Sequence, residues 1–354
     1  VRIAFVGDPA SVHLERWIRE FAARGHECVL FAPAGSADAR MPFTAIGRAG
    51  ARGPAGFLMR VLDLRRQLRR FEPDVVNAHY AHNYGTWAAL AGRRPLAVTC
   101  WGSDLLGMTG RGAIERWKTR VAVRSADIVT VNSDELRRAA EELGAAPERI
   151  RKVVIGIDPR PFLGAAEEKH NSSPVVLSTR RLEPLYNVAD ILTACASLVL
   201  EGRALRLIVA SDGSLAGALH EMAALQGASD SIEFTGFVDD EELVSLYRRA
   251  SVYVSVPSSD STAVSLLQAM AAGCAVVATD LPATREWVDP AAGNRLVSVG
   301  APRELAEAIA GLLDAPDVCA AAGDANSRVV VERADWATQM DTMEALYERL
   351  AGGS

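Results

Sequence analysis
The sequence predicts an α/β protein built of two Rossmann-like domains. Three observations carry this. The chain has 354 residues, room for two cores of about 150 residues each. Short apolar runs alternate with helical patterns along its length, the signature of βα units and parallel sheet. Two such series are separated near Ile155-Gly156-Ile157-Asp158-Pro159, ahead of a polar stretch from Gly164 to Ser173 with little apolar pattern.

In the first series strands are expected at 2–6, 27–31, 74–78, 96–100 and 127–131. In the second they are expected at 174–178, 205–210, 231–234, 252–256 and 275–279. Helical patterns follow at 12–24, 133–143, 186–200, 240–249 and 262–272. A last helix over about 335–351 sets Trp336, Met340, Met343, Leu346, Tyr347 and Leu350 on one face, which suits a return onto the first domain. The expected domains are therefore 1–158 and 159–334, with 335–354 packing back on the first.

Composition bounds the function. Hydrophobic residues make up 49% and charged ones 23%, the balance of a globular protein, and no apolar run reaches the ~18 residues that span a bilayer. The first strand begins at Arg2, so no leader is expected. Cys28, Cys100, Cys195, Cys274 and Cys319 are scattered without a C-x-x-C pair. That argues against a zinc site or disulfide frame and points to a reducing, cytoplasmic compartment. Residues 1–158 hold 24 basic and 17 acidic residues (+7), the remainder 14 and 27 (−13). A basic first half favours an anionic partner but falls short of a duplex-DNA binder, so no nucleic acid is expected.

Candidate chemistry sits where strands end, because doubly wound sheets bind ligands outside their carboxyl ends. In Ser178-Thr179-Arg180-Arg181-Leu182-Glu183-Pro184 a strand enters a polar turn. Arg181 there can clamp a diphosphate by paired hydrogen bonds, or pair with Glu183 as a surface residue. Its neighbour Arg180 is expected on the other face if the extended pattern continues, with the alternative that it swings in as a second donor-binding cation. After the strand at 252–256, the loop through Asp260 leads into a helix near Thr262, with Ser261 or Thr262 as cap. Backbone N–H groups of Ser261, Thr262, Ala263 and Val264 would favour an anion by ~0.3–1 kcal/mol, although an ordinary capped loop reads the same way.

In the first half three loops follow strand ends. They carry His13; His79, Tyr80 and His82; and Trp101, Gly102, Ser103 and Asp104. Together they form a platform for a sugar or polyol, with Asp104 placed to take a proton or bond a hydroxyl. Structural roles are the alternative for His13, His79 and Asp104. Residues 57–72 set Phe57, Leu58, Val61, Leu62, Leu64, Leu68 and Phe71 beside five arginines. Such a helix suits peripheral contact with an anionic membrane, or a packed outer helix with solvated arginines.

Taken together, Arg181-Leu182-Glu183-Pro184, Ala210-Ser211-Asp212-Gly213, Gly236-Phe237-Val238, Asp260, and Gln268-Ala269-Met270-Ala271-Ala272-Gly273-Cys274-Ala275-Val276-Val277-Ala278 resemble the donor domain of family-four retaining glycosyltransferases. The resemblance implies a GT-B fold, two domains facing each other across a cleft. It implies transfer from a nucleoside-diphosphate sugar to a glycan, lipid-linked or small-molecule hydroxyl, with retained anomeric configuration and no metal or other cofactor. Under it Arg181 grips the diphosphate, Asp260 the donor sugar, Gln268 the ribose, and backbone near Phe237 and Val238 the base. Ser211, Asp212 and Gly213 stand in the family's glycine-rich loop. Tyr186 and Asn187 stand where the family has lysine and glycine, Asp260 and Gln268 where it has two glutamates, and Trp101 where many members have histidine. A GT-B sugar-nucleotide epimerase and a non-catalytic nucleotide-sugar binder are the alternatives. The turn Val6-Gly7-Asp8-Pro9-Ala10-Ser11 lacks G-x-G-x-x-G, which disfavours an NAD enzyme, and the chain has no D-x-D pair of the metal-holding kind.

Overall fold
The computed structural model describes residues 1–108, 112–164 and 174–353, so the stretch from Gly164 to Ser173 lies, but for Gly164, outside the described residues. The chain divides into two compact units, residues 1–154 with 338–354, and residues 155–337. Residues 155–158 fall in the second unit for a local reason. The Ile157 N–H donates to the Ala334 carbonyl and its own carbonyl accepts from Trp336, both at 2.8 Å.

The first unit holds β1 (Arg2–Val6), β2 (Glu27–Pro33), β3 (Thr44–Ile46), β4 (Val75–His79), β5 (Leu96–Thr99), β6 (Ile128–Val131) and β7 (Ile150–Lys152). They lie in the order β3-β2-β1-β4-β5-β6-β7, every pair parallel. β4, β5 and β6 are buried throughout, which is why they read as unbroken apolar runs rather than alternation. Ser11 caps the helix Val12–Ala23 by accepting from the Leu14 N–H at 3.3 Å. The helix Gly53–Phe71 buries Val61, Leu64 and Leu68 against the sheet. Leu58 and Leu62 stay exposed beside Met59, outside the buried stripe.

The last helix, Trp336–Gly352, belongs from Thr338 onward with the first unit. Tyr347 is fully buried there, and its hydroxyl accepts from the Trp17 indole N–H (3.1 Å) and the Asn77 amide. Arg24 reaches Glu344 at 2.7 Å, and the Val154 N–H donates to Gln339 Oε1 at 2.9 Å.

The second unit holds β8 (Val175–Ser178), β9 (Arg206–Val209), β10 (Ile232–Phe234), β11 (Val252–Ser255), β12 (Ala275–Thr279) and β13 (Arg295–Val297), again all parallel, in the order β10-β9-β8-β11-β12-β13. Both sheets therefore reverse direction of growth once, between β1 and β4 and between β8 and β11. At such a switch point the turns diverge and leave a crevice. Behind the second sheet, the helix Pro316–Arg333 crosses the turn at Gly273, whose φ is +68°. A Cβ on Gly323 would stand 2.1 Å from the Gly273 carbonyl oxygen. Because the obstacle is backbone, Gly323→Ala is expected to destabilise the protein by about 1–3 kcal/mol, read as a lower urea midpoint.

Candidate functional site
In the second unit the turns after β8 and β11 meet at the switch point. β8 ends at Ser178, so the alternation that would carry Arg180 to the opposite face has lapsed by the time the chain reaches it. Arg180 turns inward instead and is only 7% exposed. Its guanidinium pairs with Asp260 at 2.6 Å, donates to Ser265 Oγ at 3.1 Å, and lies over the Tyr186 ring at 4.3 Å. Burial is the largest single influence and works against this charge, but Asp260, Tyr253 and Tyr186 together raise the Arg180 pKa. Arg181 is exposed, with a loose 3.9 Å approach to Glu183. Glu183 is engaged elsewhere, accepting from the Ser214 N–H and hydroxyl at 3.0 and 2.6 Å.

The loop Ser211-Asp212-Gly213 is bound to this turn through backbone. Leu182 donates to the Asp212 carbonyl (3.1 Å) and accepts from Leu215 (2.9 Å). Only glycine fits at 213, since a Cβ would lie 2.5 Å from the Leu182 oxygen. Asn187, at φ +49°, donates to the Val256 carbonyl and Ser258 Oγ, both at 2.9 Å, and so ties the first turn to the second.

The helix after β11 is Val264–Ala271, and it carries no side-chain cap. Neither Ser261 nor Thr262 serves as one. Thr262 Oγ1 accepts from the Trp287 indole (3.2 Å), and the Ser261 N–H donates to Asp260 Oδ1 (2.9 Å). Leaving first-turn N–H groups without a side-chain acceptor suits an anion. Gln268 Oε1 accepts from the Tyr247 hydroxyl at 3.3 Å. Thr179 Oγ1 lies 2.7 Å from the Tyr247 hydroxyl and 3.2 Å from that of Tyr253. Thr179, Tyr247, Tyr253 and Ser265 are thus members of the site that sequence reasoning missed. Their one signal was position beside a strand end or on the helix already singled out. Phe237 is 71% exposed and Val238 half-buried, following Gly236 at φ +70°.

In the first unit, His79 closes β4 at the other switch point but is buried, 5.2 Å from Trp17, 5.5 Å from Trp101 and 5.8 Å from Phe5 by ring centroids. Its ring packs in the core, with Nε2 3.3 Å from the Asn77 amide and a buried Nδ1 that has no hydrogen-bond partner among the described residues. His13 stacks on Trp101 at 5.6 Å, and Tyr80 stands at a strained φ of +75°. His82 Nε2 lies 2.8 Å from Glu115. Gly102 is buried at φ +140°, and Ser103 is exposed. Asp104 is 1% exposed and accepts the N–H groups of Ala81 (2.9 Å), Trp101 and Gly102 (both 3.0 Å). Burial raises its pKa against those donors. Its oxygens accept loop N–H groups, and in this structure the side chain braces the backbone.

Desolvation lowers the His79 pKa from 6.5 to about 3, so the unfolded chain takes up its proton first as pH falls. Stability is expected to be whole above pH 6.5 and to drop by up to about 1.4 kcal/mol per pH unit below it, toward pH 3. His79→Gln should flatten that part of a urea-midpoint profile.

Residues 10–160 match the family model described as Glycosyltransferase Family 4, and residues 160–329 the one described as Glycosyl transferases group 1. D-inositol 3-phosphate glycosyltransferase 2 of Catenulispora acidiphila is 30% identical over 64% of this chain and 57% of its own length. MMP alpha-(1->4)-mannosyltransferase of Mycolicibacterium hassiacum is 28% identical over 72% of this chain and 61% of its own. The matches thus span about three-fifths of the length of these relatives. Among solved structures, Anabaena HepE in complex with UDP aligns with a TM-score of 0.84 at 18% identity, over 99% of this chain and 100% of that one. Sucrose-phosphate synthase from Thermosynechococcus elongatus gives 0.83 at 17% identity, covering 100% of both. These likenesses establish a GT-B type of fold, with two parallel-sheet α/β domains. With the two family models together covering residues 10–329, the chain belongs to the group 1, family-four glycosyltransferases.

Proposed function
We propose that the protein transfers a glycosyl group from a nucleoside-diphosphate sugar to a hydroxyl acceptor, with retained anomeric configuration and without a metal. The observation that carries this reading is the buried Arg180 guanidinium at the β8/β11 switch point, beside the uncapped helix Val264–Ala271. The resembling family places a lysine where this chain has Tyr186. Arg180, resting on the Tyr186 ring, brings a cation back to that place. Arg180 and Arg181 then hold the diphosphate as its charge develops, together with the helix N–H groups. As the diphosphate takes the guanidinium, Asp260 is released toward a donor-sugar hydroxyl. Gln268 serves the ribose, and backbone near Phe237 and Val238 the base.

The HepE structures with UDP and with UDP-glucose support a uridine donor as the first to try. Peripheral contact with an anionic membrane is supported by Leu58, Met59 and Leu62, exposed among the arginines of Gly53–Phe71, and a cytoplasmic setting by the free cysteines. Among the described residues no helix is long and apolar enough to cross a membrane.

The test is incubation with UDP-, GDP-, ADP- and TDP-sugars, reading nucleoside diphosphate release and the anomeric proton of any product. Slow release with one donor, and retained configuration on adding an acceptor, is expected. Free epimer would replace this reading with an epimerase. Binding without turnover over a broad acceptor panel would replace it with a non-catalytic binder.

A further inference from the structure
The first unit contains a cavity of about 630 Å³ whose lining includes Phe57 and Arg60 of the basic helix but none of the strand-end residues singled out as acceptor contacts. It lies at the carboxyl end of the sheet, walled by Pro33 (the last residue of β2), by Asn83 in the turn after β4, and by the starts of the helices Gly53–Phe71 and Ala113–Ser125. That is the sheet end where doubly wound folds take their ligands, and the volume falls within the ~300–1,000 Å³ of small-molecule sites.

Its wall has two characters. One is apolar and aromatic, with Phe57, Trp87, Ile114 and Trp117. Ile114 and Trp117 are 70% and 52% exposed, a high cost for such side chains unless something covers them. The other is cationic: Arg52, Arg60 and Lys118 line the cavity and no carboxylate does. Lys118 is balanced by Glu115 at 3.0 Å. Arg60 has no carboxylate partner among the described residues. It donates to the Ala51 carbonyl at 2.9 Å and lies 5.5 Å over the Trp87 ring.

Two buried polar atoms at this wall have no hydrogen-bond partner, Arg60 Nε and the indole nitrogen of Trp87, a residue only 6% exposed. Both are donors, so an acceptor that entered here would meet them only after a small shift of the Arg60 and Trp87 side chains. Asn83, also in the wall, is held at φ +59° and ψ −73°, a strain of the kind that clusters at ligand sites.

We infer that this cavity binds the acceptor substrate, and that the acceptor is an anionic amphiphile. A phosphate group sits against Arg60 and Arg52, and an apolar portion runs along Trp87, Phe57 and Trp117. A phosphate monoester carries about −1.5 to −2 charge and several acceptor oxygens, matching the Arg52 and Arg60 cations of the wall. The role as acceptor rests on the transferase reading above; the binding chemistry rests on the cavity alone.

The test is titration of the whole chain with monomeric dodecyl phosphate, followed by tryptophan fluorescence. Inorganic phosphate, octyl glucoside and phosphatidylcholine–phosphatidylglycerol vesicles serve as parallel probes. Saturable one-to-one binding of dodecyl phosphate is expected, at least tenfold tighter than either inorganic phosphate or octyl glucoside. Arg60→Met and Trp117→Ala should each weaken it tenfold or more. Equal affinity in both variants, no saturation, or binding to vesicles alone would overturn the proposal. Titrating nucleoside diphosphates into the same wild-type sample separates the two readings. Dodecyl phosphate bound without any nucleotide sinks the transferase role and leaves the cavity; the converse sinks the cavity.

Discussion

Arg180→Ala is expected to lower turnover by about 10²–10³-fold, the loss typical of removing one preorganised electrostatic contact. The same change removes the partner of Asp260, whose side chain is only 21% exposed, and leaves a carboxylate facing the Tyr186 and Tyr253 side of the network. Breaking a buried pair from one side costs about 3–5 kcal/mol. The residual exposure of Asp260 puts the expected loss at the lower end of that range. The two effects separate in a double variant. Arg180→Ala with Asp260→Asn removes the stranded charge, so the urea midpoint should recover while turnover does not. Recovery of both would make Arg180 a purely structural residue.

Tyr347→Ala is expected to cost more stability than any other single change considered. It empties a fully buried aromatic site, worth about 3–5 kcal/mol. It also takes an acceptor from the Trp17 indole N–H and from the Asn77 amide, at up to about 1–3 kcal/mol for a buried group left unsatisfied. Tyr347→Phe isolates the second contribution, because the ring and its edge contacts with Phe5 and Phe21 remain. Urea unfolding of the three proteins checks the order, wild type above Tyr347→Phe above Tyr347→Ala. If Tyr347→Ala unfolds with the wild-type midpoint, the last helix does not anchor the first unit.

The interior of both sheets was legible in the sequence for a physical reason: strands covered on both faces are apolar throughout. β3, β7 and β13 were not legible. Each has three residues, as in Thr44-Ala45-Ile46 and Arg295-Leu296-Val297, too few to show any period, and of the three-residue strands only β10 was expected. The turns that build the donor-side site were also legible, since strand, polar turn and helix follow one another locally. The direction of Arg180 was not, because strand alternation stops at Ser178 and a partner 80 residues away decides the rest. Thr179, Tyr247 and Tyr253 meet over separations of 68 and 74 residues, which no local pattern reports. His79 and Asp104 are the opposite case. Their residue types advertised chemistry, while burial and backbone bonding, set by the tertiary fold, give them structural work.

On the proposed function, the second unit grips a nucleoside diphosphate with Arg180, where the resembling family places a lysine. Calorimetric titration of UDP, GDP, ADP and TDP into the wild-type chain and into Arg180→Ala tests it most directly. One nucleotide should bind at a single site, with affinity at least tenfold weaker in Arg180→Ala. Absence of binding by all four, or equal affinity in the two proteins, would contradict the account.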